Sequence, residues 1–153
     1  MQQLIFISHA SPDENPFVLW LAGRLTAEGY EVWSDVTKLI GGECFWERIE
    51  IAIREHTAVF LSVVSKSAVR KRGFLNELSI ASAIETARNV DDFVVPIRFD
   101  NFPFLDFPAQ LHRKSAIDFS SGWHVGLVKL LTKLESSSAP RASNAGMLNC
   151  TEF

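Results

Sequence analysis

The chain of 153 residues is poor in cysteine and has no long apolar run. Its two cysteines, Cys44 and Cys150, lie far apart without the spacing of metal ligands, which argues against a zinc site and a disulfide framework. No apolar stretch reaches the roughly 18 to 20 residues that a membrane span needs, so we expect no membrane partner. The N-terminal residues lack a basic start and a small-residue cleavage site, which is not typical of a secretion signal. We therefore expect a cytoplasmic protein.

Neither sign of charge dominates the chain. Its 15 basic and 18 acidic side chains give a net charge of −3, which argues against a nucleic-acid partner.

The sequence also lacks the glycine-rich motifs of dinucleotide and P-loop sites and the Gly-x-Ser-x-Gly motif of hydrolases. Its four histidines have no metal-like spacing, so we predict no metal site. With 47% apolar and 22% charged residues, the composition is that of one folded domain.

Apolar runs and helical patterns alternate along the chain. Continuous apolar segments of strand length are typical of strands buried on both faces, as in a parallel sheet. The predicted strands are residues 4–8, 30–33, 57–64, 93–98 and 116–119. The predicted helices are residues 17–28, 45–54, 74–87 and 123–134. This alternation predicts an α/β protein with a flavodoxin-like three-layer fold, whose five-stranded parallel sheet has the order 2-1-3-4-5 and helices on both faces.

The pattern also divides the chain into a domain and a tail. Residues 1–135 form the predicted domain, whereas the small and polar residues that begin 136–153 predict a disordered tail or a linker. Within the third predicted helix, the composition favours Leu75, Leu78 and Ile84 as packing residues.

Two carboxylates fall at the predicted ligand crevice, which lies at the carboxyl ends of the strands. Asp35 follows the second strand, and Glu77 falls in the predicted first turn of the third helix. A carboxylate there can hydrogen-bond a ribose hydroxyl and stabilise the oxocarbenium ion of glycosidic bond cleavage. The alternative is structural, because acidic residues favour the first turn of any helix through its dipole.

Three segments stand in the same order as the motifs of a known family. They are residues 6–11 (FISHAS), residues 32–39 (VWSDVTKL) followed by Gly41 and Gly42, and residues 74–78 (FLNEL). With the strand–helix alternation between them, these segments resemble a bacterial Toll/interleukin-1 receptor (TIR) domain over residues 3–135. The family fold is the flavodoxin-like sheet that the pattern itself predicts.

The resemblance implies an enzymatic activity. One class of TIR domains cleaves NAD+ to nicotinamide and ADP-ribose or a cyclic ADP-ribose isomer, using a glutamate at the start of the third helix. Glu77 matches that glutamate in position, so it would hold the hydroxyls of the nicotinamide ribose and stabilise positive charge at the anomeric carbon. NAD+ would be the substrate, and no further cofactor is implied. The residues expected around the substrate are Ser8, His9, Ala10, Trp33, Asp35 and Phe74.

The resemblance also implies association with other TIR domains, including further copies of this chain. The loop 35–44 corresponds to the BB loop of the family, which packs against a neighbouring domain and helps to complete the site. Its expected contact residues are Lys38, Leu39, Ile40, Gly41 and Gly42. The implied setting is bacterial defence or virulence signalling, in the cytoplasm or after delivery into a host cell as an effector.

The sequence departs from the enzymatic pattern at one position. Enzymatic TIR domains usually carry an aromatic residue four positions before the glutamate, where this chain has Gly73, and Phe74 lies one position later. Two alternatives therefore stay open. One is a non-catalytic TIR module that binds host or partner TIR domains. The other is a glycosyl transferase similar to nucleoside 2-deoxyribosyltransferases, which also set an acidic residue in a flavodoxin-like crevice.

Overall fold

The computed structural model describes residues 2–10, 12–34 and 46–141 of the protein. The strands in this part of the chain are β1 (Leu4–Ser8), β2 (Glu31–Ser34), β3 (Thr57–Val64), β4 (Val94–Arg98) and β5 (Ile117–Asp118). The helices are α1 (Asn15–Ala27), α2 (Trp46–Ile51), α3 (Arg72–Arg88) and α4 (Trp123–Ser136). Helix α2 continues into a π-helical turn (Ala52–His56), and short 3-10 turns cover Ala68–Arg70, Phe104–Asp106 and Ala109–Leu111.

The five strands form one parallel sheet in the order β2-β1-β3-β4-β5. This confirms the predicted fold class and strand order. From β1 the chain builds the sheet first towards β2 and then in the opposite direction, so the order reverses between β1 and β3. In open α/β sheets such a reversal leaves a crevice at the carboxyl ends of the two strands. Ser8, the last residue of β1, stands opposite Ser62 of β3 at this end.

Alternate residues of β1 supply two apolar cores, one on each face of the sheet. Leu4 and Phe6 belong to the core that α2 and α3 cover, whereas Ile5 and Ile7 belong to the core that α1 and α4 cover. All five residues of β1 are buried. Burial on both faces explains why the sequence of β1 is a continuous apolar run without alternation.

Helix α3 differs from its prediction at its start. It begins at Arg72, two residues before the predicted start, so Glu77 is its sixth residue and lies in the second turn rather than the first. Leu78 and Ile84 are buried, as predicted, but Leu75 is 36% exposed, and the prediction for Leu75 is wrong. The helix ends at Arg88 and is followed by Asn89, whose left-handed backbone is a common helix stop.

The closing helix α4 ends at Ser136, one residue beyond the predicted domain boundary. The chain is described as far as Arg141, whose guanidinium lies 4.8 Å from the centroid of the Tyr30 ring. The division into a domain and a tail stays a prediction, because residues 142–153 lie outside the described part of the chain.

Candidate active site

The carboxylate of Glu77 is buried at the carboxyl end of β1. Its Oε1 accepts a hydrogen bond of 2.6 Å from the hydroxyl of Ser8. Glu77 is 4% exposed and Ser8 is fully buried. A buried carboxylate needs such partners, because its transfer out of water without hydrogen bonds is costly. The two residues are 69 positions apart in the chain, so only the fold brings them together.

Glu77 occupies the buried stripe of α3. Phe74, Leu78 and Ala81 lie at helical spacing on one face of this helix, and all three are buried. Glu77 is three residues after Phe74 and four before Ala81, so it belongs to the same face. The first turn of α3 contains no acidic residue. The helix dipole, which acts within the first turn, therefore does not account for a carboxylate at this position.

The two residues that follow β1 are also buried. His9 is 4% exposed, and its Nε2 lies 3.0 Å from the side-chain oxygen of Asn15 at the start of α1. Ala10 is 2% exposed and packs in the core on the α3 side of the sheet. The structure thus places Ser8, His9 and Ala10 on one short segment whose first residue binds Glu77. Contact of this segment with a substrate stays a prediction.

A row of rings crosses three strands on the same side of the sheet. Trp33 of β2 stacks on Phe6 of β1 with ring centroids 4.7 Å apart, and Phe6 stacks on Phe60 of β3 at 5.2 Å. Trp33 and Phe74 are each 2% exposed and belong to this core, and their expected contacts with a substrate stay predictions. Gly73 lies one helical turn before Glu77, so α3 carries no ring at that position.

Six of the predicted site residues lie outside the described part of the chain, so their expected roles stay predictions. Asp35 is expected beside the substrate. The other five are expected in self-association, and they are Lys38, Leu39, Ile40, Gly41 and Gly42. Strand β2, which leads into this loop, ends at Ser34, opposite Ile7 of β1 and hence at the same edge of the sheet as Ser8.

Sequence reasoning missed a second buried carboxyl, that of Glu14 directly before α1. Glu14 is 1% exposed. Its Oε1 accepts a hydrogen bond of 2.9 Å from the backbone N–H of Ala10, and its Oε2 accepts one of 2.7 Å from the hydroxyl of Ser65. Burial raises the pKa of Glu14, and these two hydrogen bonds partly oppose the rise. The sequence Pro-Asp-Glu-Asn predicts only a polar loop, and no local signal distinguishes Glu14 from the exposed Asp13.

A cleft of about 570 Å³ opens between the loops that follow β1, β3 and β4. Three cationic side chains from the loop after β3, Lys66, Arg70 and Lys71, line it together with the carboxylates of Asp13 and Asp100. The backbone N–H of Lys66 donates to Oδ2 of Asp100 at 3.1 Å. Charges of both signs therefore meet at this cleft, which is not a uniformly basic surface.

The described ranges, 2–10, 12–34 and 46–141, contain no cluster typical of a metal site. No three side chains of His, Cys, Asp or Glu in these ranges are grouped in a way that could hold a metal ion. None of the helices there has both the length and the apolar character to cross a membrane.

The sheet order and the buried pair of Ser8 and Glu77 define an α/β domain with a candidate site at the end of its first strand. A sequence model of the TIR domain family matches residues 5–131 of the chain. Because this match covers most of the chain, the protein belongs to the TIR domain family. The resemblance seen in the three sequence motifs is thereby confirmed.

The chain is also similar to one curated protein and to one solved structure. The "Uncharacterized protein y4cD" of Sinorhizobium fredii (strain NBRC 101917 / NGR234) is 35% identical over 140 residues, which are 90% of this chain and 21% of that protein. The chain thus spans about a fifth of the length of this relative. The TIR domains in the structure of the activated Roq1 resistosome directly recognizing the pathogen effector XopQ match with a TM-score of 0.57 at 22% identity, over 88% of this chain and 72% of that chain. At this identity the likeness shows a shared fold.

Proposed function

We propose that the protein is a TIR-domain NAD+ hydrolase, in which Glu77 is the catalytic carboxylate. The products are nicotinamide and either ADP-ribose or a cyclic ADP-ribose isomer. The observation that carries this proposal is the burial of Glu77 against Ser8 at the carboxyl end of β1. A carboxylate in an otherwise apolar helix stripe weakens packing, which argues for a chemical role.

The charge changes of the reaction explain what such a carboxylate does. Nicotinamide leaves NAD+ as a neutral base, and the positive charge of its ring passes to the ribose as the bond to the anomeric carbon breaks. Glu77 accepts hydrogen bonds from the ribose hydroxyls and stabilises the positive charge on the sugar. Water then adds to the anomeric carbon and loses one proton, which gives ADP-ribose, or an adenine nitrogen adds in its place, which gives the cyclic isomer. Ser8 fixes the orientation of the Glu77 carboxylate throughout.

Self-association is the second part of the proposal. We infer that copies of the chain assemble through residues 38–42 of the loop after β2, and that assembly completes the substrate pocket. Membership of the TIR family supports this inference, as does the similarity to TIR domains from a resistosome, which is an assembly. The setting that we infer is bacterial defence or virulence signalling, in the cytoplasm or inside a host cell.

The test is nicotinamide release from NAD+ by concentrated protein and by protein clustered on beads. Glu77→Gln keeps the size of the side chain and removes its charge, so we expect release to fall by about 100-fold or more. Glu50→Gln is the matched control, because it removes a half-exposed carboxylate of α2 that pairs with Arg54 at 2.8 Å. Circular dichroism checks that both variants fold. Equal release by wild type and a folded Glu77→Gln variant would overturn the role of Glu77.

A non-catalytic TIR module is the second candidate function. The observation that favours it is the absence of a ring at Gly73, one turn before Glu77, together with the burial of Phe74. This candidate predicts no NAD+ turnover even by clustered protein. It also predicts that Ile40→Ala or Gly42→Pro weakens binding to partner TIR domains. Turnover that depends on Glu77 would exclude this candidate.

A further inference from the structure

Glu14 lies beside the candidate site, and the proposed reaction gives it no part. We propose that Glu14 is a positioning residue, which clamps the loop after β1 to the loop after β3 and thereby sets the contact between Ser8 and Glu77. This inference rests on the proposed NAD+ hydrolysis for its catalytic consequence. The clamp itself rests on the hydrogen bonds that Glu14 makes with Ala10 and Ser65.

The two carboxylate oxygens of Glu14 bind two different loops. Oε1 accepts from the backbone N–H of Ala10, which is two residues after Ser8. Oε2 accepts from the hydroxyl of Ser65, which directly follows β3 and is 51 positions away from Glu14. Both bonds are buried, so water does not compete with them. One carboxyl therefore holds together the two strand ends between which the order of the sheet reverses.

The loop after β3 connects this clamp to the helix that carries Glu77. The hydroxyl of Ser65 also accepts from the backbone N–H of Ala68 at 2.9 Å, at the start of a 3-10 turn. Lys71 closes this turn with a backbone hydrogen bond to Ala68 and is followed at once by Arg72, the first residue of α3. The clamp thus reaches Ser8 on one side and the start of α3 on the other.

Helix capping does not explain the burial of Glu14. It stands at the N-terminal cap of α1, where serine, threonine, aspartate or asparagine is preferred because their side chains bind the amides of the first turn. The side chain of Glu14 makes no such bond to α1. Its oxygens are directed back to Ala10 and across to Ser65. A longer side chain than the usual caps is what allows this reach.

Three variants of the clamp and two controls test the inference. Glu14→Ala removes both ends of the clamp, Glu14→Gln keeps an oxygen that can accept from Ala10, and Ser65→Ala removes only the end at β3. Asp13→Asn removes the neighbouring exposed carboxylate and is the first control. Ile97→Val, in the buried core on the opposite face of the sheet, lowers stability without touching the clamp and is the second.

The kinetic measurement is the kcat and the KM of nicotinamide release, well below the melting temperature of each variant. Misplacement of a catalytic group by about 1 Å can lower its rate up to 100-fold, so we expect Glu14→Ala to lower kcat by about 10-fold or more. KM should stay within about two-fold, because Glu14 is only 1% exposed and acts in this proposal through Ser8 and Glu77. Glu14→Gln and Ser65→Ala should lie between wild type and Glu14→Ala. Both controls should match wild type.

A structural measurement in the absence of NAD+ tests, independently of activity, whether Glu14 positions Ser8 and Glu77. NMR follows two signals in each folded variant, the carboxyl carbon of the Glu77 side chain and the backbone amide of Ala10. We expect loss of the clamp to shift both signals and Ile97→Val to shift neither. If Glu14→Ala does not fold, Glu14→Gln and Ser65→Ala give the answer. Unchanged Glu77 signals in the clamp variants overturn the inference, whereas an inactive wild type overturns only the proposed function.

Discussion

Replacing Ser8 with alanine tests whether its hydroxyl stabilises the buried Glu77. The variant removes the hydrogen bond of 2.6 Å and leaves the carboxylate in place. Hydrogen bonds to charged groups contribute about 1.5–3 kcal/mol, and water does not replace this one because both partners are at most 4% exposed. We therefore expect the free energy of unfolding to fall by about 2 kcal/mol. For a domain of this size, that loss corresponds to a melting temperature lower by about 4–8 °C.

Ser62 supplies a matched control on the neighbouring strand. It stands opposite Ser8 in the register of β1 and β3, and it is also fully buried. Among the residues that the structure describes, its hydroxyl has no hydrogen-bond partner. Ser62→Ala therefore removes a buried polar group that makes no bond. We expect the free energy of unfolding to stay the same or to rise by up to about 1 kcal/mol.

Urea unfolding followed by circular dichroism measures both variants under identical conditions. Adding Glu77→Ala, which removes the oxygen that accepts from Ser8, completes a double-mutant cycle with Ser8→Ala. If the hydroxyl acts through the Glu77 carboxylate, the two changes should be coupled by about 1 kcal/mol or more. Equal losses for Ser8→Ala and Ser62→Ala, or a coupling energy near zero, would refute the reasoning.

Two further predictions concern packing and pH. Gly126→Ala would place a methyl group 2.5 Å from the buried ring of Phe119, so we expect a loss of about 1–3 kcal/mol in thermal unfolding. Gly23→Ala has nothing within 4 Å and should instead gain about 0.5–1 kcal/mol from helix propensity; a loss in this variant would contradict the argument. Burial raises the pKa of Glu14 above its ordinary value of 4.5, so the unfolded chain loses this proton at a lower pH than the folded chain. The free energy of unfolding should therefore fall as the pH rises from 4.5 to the pKa of Glu14 in the folded protein. This fall, measured by unfolding at a series of pH values, should disappear in Glu14→Gln and remain in Asp13→Asn.

The sheet is predictable from local sequence because its central strands are buried on both faces. Strands β1 and β3 are continuous apolar runs, which are typical of a parallel sheet between two helical layers. Parallel strands place their carboxyl ends at one edge, so the sequence already assigns Ser8 and Glu77 to one crevice. The hydrogen bond between them is not predictable in this way, because it depends on the exact position of α3 over β1.

The prediction that Leu75 is a packing residue is wrong because Glu77 interrupts the apolar face of α3. A helix that packs against a sheet normally shows its buried face as an apolar stripe. Here the stripe contains Glu77, so a search for apolar residues alone favours Leu75, which lies on the flank of that face. The buried face is visible only once Phe74, Leu78 and Ala81 are seen to lie together. The burial of Glu14 is also not predictable from local sequence, because it depends on a contact with Ser65, which is 51 positions away.

The row of Trp33, Phe6 and Phe60 has a consequence for how the protein can change shape. Each of the adjacent strands β2, β1 and β3 contributes one ring, and the ring of Phe6 stacks on both of the others. Sliding one strand along its neighbour would break these contacts, and closely packed interiors resist such movement. We therefore expect any rearrangement during the proposed self-association to be confined to the loops. Ser8 ends the strand that carries Phe6, so the hydrogen bond between Ser8 and Glu77 is already formed in a single copy of the chain.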